Sequence, residues 1–317
     1  METPLYELGV GKSNRLFIKR EDLLPQYFGG NKARIANEYL SDMKRKGADC
    51  LIGYGNARSN LNRALAFAAV SEGIPYHIIS PSDDDGKRVQ TFNAELARCC
   101  GAIVHYCSKA NVSDTVGHVL TELSGKGYSP YYINGNKYGK GNEAVPVGAY
   151  AKVYYEIKEQ EKRLNTRFDY LFLATGTGMT QAGLLTSQFQ EQSDERIVGI
   201  SIARDSEMAV SVVHNYCNQY CQAHQLKSVP LDNICVEDNY RCGGYGKSCE
   251  DENRMIMEML KQTAIPLDPT YTGKAFWGMD CYLRENNISG CNVLFIHTGG
   301  TPLFYDHLSN SETIDTF

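Results

Sequence analysis

No run in this 317-residue chain is apolar for long enough to span a bilayer. The densest one, ALAFAAV at 64–70, falls far short of the roughly 20 residues a crossing helix needs. The opening METPLYELGVGKSNRLFIKRED is polar from its second residue and lacks an apolar signal region, so a cytoplasmic protein is expected. Positive charge is also in short supply. A net charge of -5 and a pI near 5.8 offer no basic field for a phosphate backbone, which argues against nucleic acid and for a small-molecule ligand. No internal repeat or low-complexity segment is present. Eleven cysteines, an odd number scattered along the chain, do not form the framework of a disulfide-stapled secreted domain, so reduced thiols are expected.

Two cysteine groups bear on metal binding. His214, Cys217, Cys221 and His224 share one helical stripe, but ten residues of helix extend roughly 15 Å, too far for one zinc ion. Cys235, Cys242 and Cys249 are spaced seven apart without the close pairing of a zinc knuckle and read as loop cysteines. No metal is therefore expected.

What the chain does contain is 42% hydrophobic and 22% charged residues, the ordinary balance of a soluble globular protein and too apolar for disorder. Strand-like runs alternate with helical ones: CLIGYG before SNLNRALAFAAVSEG, PYHIISP before GKRVQTFNAELARCCG, and AIVHYC before NVSDTVGHVLTELSGKG. The helices stop on Gly73, Gly101 and Gly125 or Gly127, residues that accept the left-handed turn after a helix. A second set follows, with strands YLFLAT, RIVGISIA and NVLFIHT. The glycine- and asparagine-rich stretch at 131–144 falls between the two α/β units.

In YLFLATGTGMTQAGLL a buried strand enters a Gly/Thr turn and then a helix. Gly176 and Gly178 let backbone N–H groups converge on an anion, Thr177 and Thr180 add hydroxyls, and the helix N-terminus adds partial positive charge. This is a phosphate cup. It is not a dinucleotide fingerprint, since its third glycine is misplaced, nor a Walker A loop, since no Gly-Lys-Ser/Thr follows; the GKS at 11–13 lacks the upstream glycine and strand. Lys32 follows FGGN and opens a helix whose Ile35, Ala36, Tyr39 and Leu40 face the core. A helix N-terminus disfavours a cation, and desolvation adds to this, so the amine is expected to have a lowered pKa and to be nucleophilic toward an aldehyde. An amine of this kind and a phosphate cup together suggest pyridoxal 5'-phosphate.

The blocks KREDLLPQYFGGNKAR, ARSNLNRA, ATGTGMTQAG, GGYGKS, DPTYTGKA and IHTGGTPLF, in this order and covering residues 3 to about 306, resemble the 1-aminocyclopropane-1-carboxylate deaminase and D-cysteine desulfhydrase family. The resemblance implies an α/β protein of fold type II, tryptophan synthase beta-like, with two open twisted sheets flanked by helices. It implies a larger cofactor-binding lobe of residues 1–40 and 151–317 and a smaller inserted lobe of 41–150, and a homodimer. Lys32 matches the lysine that carries the cofactor and moves protons at the substrate α-carbon. Asn60 matches the asparagine that hydrogen-bonds the cofactor's phenolic oxygen, and Ser59 the serine that meets the substrate carboxylate or serves in proton transfer. Thr175, Gly176, Thr177, Gly178, Met179 and Thr180 match the phosphate loop, with Met179 where the family commonly has glycine. Tyr245 and Tyr271 match the two active-site tyrosines.

Two positions bear on the reaction. The cyclopropane-opening deaminases usually carry glutamate after the second tyrosine, facing the pyridine nitrogen, and leucine before the paired glycines. Here stand Thr272 and Thr298, as in the desulfhydrase branch. A neutral hydroxyl leaves the ring a weaker electron sink, which suffices to expel a β-thiolate better than to open a cyclopropane. The expectation is β-elimination on a small β-substituted amino acid, yielding pyruvate and ammonia. The alternatives are a β-replacement synthase that uses the same chemistry on a different or larger substrate, cyclopropane opening, and a cofactor-bearing sensor. Arg58 and Leu61 stand where the family usually has Gln and His or Gln; an arginine there either clamps a second acidic group or lines the surface.

Overall fold

The computed structural model describes residues 1–9, 13–82 and 89–310. Two residues of the GKS at 11–13 and residues 86–88 of the expected GKRVQTFNAELARCCG helix lie outside the described residues. In chain order the strands are β1 (Leu5–Glu7), β2 (Arg15–Arg20), β3 (Cys50–Tyr54), β4 (Tyr76–Pro81), β5 (Ile103–Cys107), β6 (Pro130–Tyr132), β7 (Tyr170–Thr175), β8 (Arg196–Ser201), β9 (Cys235–Glu237) and β10 (Asn292–His297). The α-helices are α1 (Asn31–Arg45), α2 (Asn60–Glu72), α3 (Phe92–Cys99), α4 (Val112–Gly125), α5 (Val147–Leu164), α6 (Met179–Glu191), α7 (Ser206–His224), α8 (Glu250–Thr263), α9 (Thr272–Glu285) and α10 (Thr301–Asn310). Among the described residues no helix is long and apolar enough to cross a membrane.

The chain divides into two units, one of residues 1–31 and 147–317 and one of residues 32–146. The larger holds a six-stranded sheet in the order β1-β2-β10-β7-β8-β9, parallel except for β1. Its inner strands are apolar almost throughout, as strands covered on both faces by helices must be: Leu171 to Thr175 and Val293 to His297 are all buried. Helices α5 and α6 pack closely because Gly183 has no side chain; a Cβ there would lie 2.5 Å from the Val147 carbonyl oxygen and 2.7 Å from Tyr150 Cβ.

The smaller unit holds a parallel sheet in the order β5-β4-β3-β6. Its helices end where the sequence indicates, with Gly73, Gly101 and Gly127 at φ of 66°, 80° and 90°. Helix α1 from Lys32 onward belongs to this unit, whereas residues 32–40 were expected in the larger lobe. The tie is polar as well as apolar: Tyr131 donates to Asp42 at 2.6 Å, and Lys44 pairs with Glu72 at 2.8 Å.

In both sheets the chain reverses its direction of travel beside a strand whose carboxyl end carries candidate residues. β7 ends in the Thr175–Thr180 loop next to β10, which ends at Thr298, and β3 leads into Ser59 and Asn60 next to β6. Open parallel sheets bind ligands at such points.

Candidate active site

In the larger unit the loop expected to hold phosphate joins β7 to α6. Gly178 is the N-cap of α6 at φ 86°, and no side chain caps that helix. The first intrahelical bond runs from Ala182 N–H to the Gly178 carbonyl, so the N–H groups before it are available to an anion. Thr180 Oγ1 accepts from Asn31 Nδ2 at 2.8 Å, which leaves the hydroxyl's own hydrogen to donate. The Thr175 hydroxyl turns away and donates to Gln181 Oε1 at 2.8 Å, so Thr175 serves the loop through its backbone. Arg204 donates to the Gly176 carbonyl. Met179 is buried at 4% exposure in the first helical turn.

The two tyrosines meet. Tyr245 and Tyr271 place their hydroxyl oxygens 2.7 Å apart, so one phenol must donate to the other, and their rings cross at 74°. Tyr271 also borders the phosphate loop: a Cβ on Gly176 would lie 3.8 Å from its Cε1. Tyr271 and Thr272 are placed by Asp268, a residue the sequence reading passed over. Its buried carboxylate accepts the N–H groups of Thr270, Tyr271 and Thr272 at 3.0, 2.9 and 3.1 Å and the Thr272 hydroxyl at 2.8 Å. Thr272 Oγ1 in turn accepts from Asp268 N–H, so its hydrogen is committed and one lone pair remains. Burial raises the Asp268 pKa against the pull of these bonds. The signal was present in DPTYT, an aspartate followed by the first residues of a helix. Thr298 follows β10, its carbonyl accepting from Asn31 N–H at 3.0 Å; a Cβ on Gly30 would lie 2.9 Å from that oxygen.

In the smaller unit Lys32 is the second residue of α1, and the protein around its amine lowers the pKa to about 8 by desolvation. The consequence for stability has a definite sign. Between about pH 8 and 10.5 the folded state binds less proton at Lys32 than the unfolded chain, so the contribution of Lys32 to the stability of the cofactor-free protein rises through this window. The gain is up to about 3 kcal/mol. Denaturant melts of the wild type and of Lys32→Met at a series of pH values should show it as a stability difference that moves in favour of the wild type as pH rises from about 8 to 10.5.

Ser59 is the N-cap of α2: its Oγ accepts from Asn62 N–H at 3.1 Å, leaving the hydroxyl hydrogen for another acceptor. Asn60 is oriented by Asn93, which nothing in the sequence marks, because the two are 33 residues apart. Asn93 Nδ2 donates to the Arg58 carbonyl at 3.2 Å, which fixes it as the nitrogen, and donates again to Asn60 Oδ1 at 2.9 Å. Asn60 Nδ2 is thereby turned outward as a donor, as a phenolate oxygen requires. Asn93→Asp would offer only an acceptor and turn the Asn60 amide around. Cofactor binding is expected to weaken about tenfold, the worth of one hydrogen bond near 1.4 kcal/mol, with a shift in the visible band; equilibrium dialysis and absorbance check both.

Each unit holds donors of the kinds pyridoxal phosphate needs: the larger an uncapped helix N-terminus with a glycine turn for the phosphate, the smaller a desolvated amine for the aldehyde and an oriented amide for the phenolic oxygen. Of the other groups considered from sequence, Cys217 and Cys221 are fully buried along α7. Cys242 and Cys249, read as separate loop cysteines, instead bring their sulfurs within 2.7 Å.

Comparison with known proteins places the chain in a family. A D-cysteine desulfhydrase of Serratia proteamaculans is 29% identical over 92% of this chain and 88% of its own length. A 1-aminocyclopropane-1-carboxylate deaminase of Methylobacterium nodulans is 25% identical over 95% of this chain and 92% of its own. A crystal structure of an ACC deaminase homologue superposes with a TM-score of 0.84 at 28% identity, covering 98% of this chain and 93% of the other. The family described as Pyridoxal-phosphate dependent enzyme matches residues 1–299, and the chain belongs to it, as a lyase with the fold type II architecture of two helix-flanked sheets.

Proposed function

We propose that the protein catalyses β-elimination on a small β-substituted amino acid, as in D-cysteine desulfhydration, releasing the β-substituent together with pyruvate and ammonia. The observation that carries this reading is Thr272, a neutral hydroxyl where the cyclopropane-opening enzymes carry a carboxylate. When bound, pyridoxal phosphate supplies the electron sink that acidifies the substrate's α-C–H bond. Lys32, with its depressed pKa, is unprotonated for a useful fraction of molecules near neutral pH and takes the α-proton at Nζ. Asn60 Nδ2 donates to the phenolic oxygen, the start of α6 binds the phosphate, and Ser59 offers its hydroxyl hydrogen to the substrate carboxylate. The Tyr245–Tyr271 pair, its hydroxyl oxygens 2.7 Å apart, supplies a phenolic acid for the departing group. The family resemblance extends the proposal to a homodimer.

The test is keto-acid release from D-cysteine, L-cysteine, cysteate, β-chloroalanine and 1-aminocyclopropane-1-carboxylate. Pyruvate from one of the β-substituted alanines is expected to exceed 2-oxobutyrate from the cyclopropane acid by at least about 100-fold in kcat/KM. Preferential 2-oxobutyrate release would overturn the reading. Consumption of substrate only when a second nucleophile is added would replace it with β-substitution.

A further inference from the structure

The loop that carries Tyr245 begins at Cys242 and ends at Cys249, directly before α8. The two sulfurs are 2.7 Å apart. Glu252, in the first turn of α8, completes a group whose donor atoms all lie within 4.8 Å of one another. Glu252 is 0% exposed, and neither of its carboxylate oxygens has a hydrogen-bond partner. A buried carboxylate without donors is a costly arrangement that proteins retain where a cation or a ligand completes it. Lys274, also fully buried, commits its ammonium to the Gly244 carbonyl at 2.6 Å inside the same loop.

We propose that Cys242, Cys249 and Glu252 bind a thiophilic divalent cation, with zinc the best match, leaving one coordination position for water. Two soft sulfur donors and one carboxylate select zinc over magnesium or calcium. The charges balance: two thiolates and a carboxylate against a dication leave a single negative charge, which the neighbouring Lys274 compensates. Binding forms two metal–sulfur bonds and releases the two thiol protons to solvent. Thiolates on one tetrahedral zinc stand about 3.8 Å apart for metal–sulfur bonds near 2.3 Å. Rotation of either cysteine about χ1 opens the present gap toward that spacing, and the loop can follow: Cys242, Gly243, Gly244 and Gly246 are all at positive φ. The ion would tie both ends of the loop to the start of α8 and so fix the backbone on which Tyr245 meets Tyr271.

The experiment is a zinc titration of the purified, reduced full-length protein against a chromophoric chelator, with and without pyridoxal phosphate, followed by cobalt substitution. Expected are one zinc per chain, protection of two thiols from alkylation, and a thiolate-to-cobalt charge-transfer band. Cys242→Ser and Cys249→Ser should each weaken zinc binding at least about 100-fold, and Glu252→Gln about tenfold, while Cys235→Ser leaves it unchanged. Absence of zinc uptake by the reduced wild type would overturn the proposal whether or not any variant folds. So would a mass lower by two hydrogens with the Cys242–Cys249 peptides linked, which would make the pair a disulfide. The visible band of the cofactor reports separately on the family reading.

Discussion

Lys32→Ala should lower kcat/KM by at least about 10³-fold, because on the proposed function one substitution removes both the covalent tether of the cofactor and the base that takes the α-proton. Two readouts separate this from misfolding. The visible absorption of the lysine-bound cofactor should vanish, while the α6 N-terminus still retains pyridoxal phosphate noncovalently, as dialysis would show. Added small primary amines should restore part of the activity, since they can replace the missing Nζ as a base. A variant that keeps the visible band and more than a tenth of wild-type turnover would remove Lys32 from its assigned role.

Lys19→Met is expected to have the largest effect on stability. Lys19 lies in β2 with no exposed surface, and its Nζ donates to Glu156 Oε1 at 2.6 Å, Gln160 Oε1 at 2.8 Å and the Thr3 carbonyl at 3.3 Å. Glu21 Oε1 is 3.9 Å away, itself fully buried and receiving the hydroxyls of Thr3 and Tyr150 at 2.6 and 2.7 Å. Methionine fills the space but removes the buried ammonium beside Glu21 and Glu156, a loss of about 3–5 kcal/mol. Urea denaturation of the cofactor-free protein would measure it. Adding Glu21→Gln should return part of the loss, and Lys162→Met, in an exposed pair with Glu159, should change stability by less than about 1 kcal/mol. Equal effects at Lys19 and Lys162 would mean that the buried network contributes nothing specific.

Much of this was legible because local chemistry and global structure agree. The parallel strands appear as apolar runs, and Gly73, Gly101 and Gly127 mark helix ends because a left-handed residue costs glycine least. The glycine turn between β7 and α6 is contiguous, so its spacing is visible in the sequence. What escaped has three physical causes. RLFIKR carries three cations, and nothing local says that Lys19 is buried among partners from α5. The strands β1, β6 and β9 have three residues each, too few for a period to show. Asn93 and the Cys242–Cys249–Glu252 cluster act through contacts that the fold creates, across 33 residues in the first case and around a glycine-rich loop in the second.

The position of β10 governs how the chain can be made. This last strand lies between β2 and β7, pairing with both along their length. The larger sheet therefore stays open at its centre until residues 292–297 leave the ribosome, whereas residues 32–146 are contiguous and complete much earlier. Until then β2 and β7 present unpaired apolar edges. A nonsense mutation even at the end of α9 would thus yield a finished small unit joined to a sticky, half-built sheet, a product suited to inclusion bodies and to capture by chaperones.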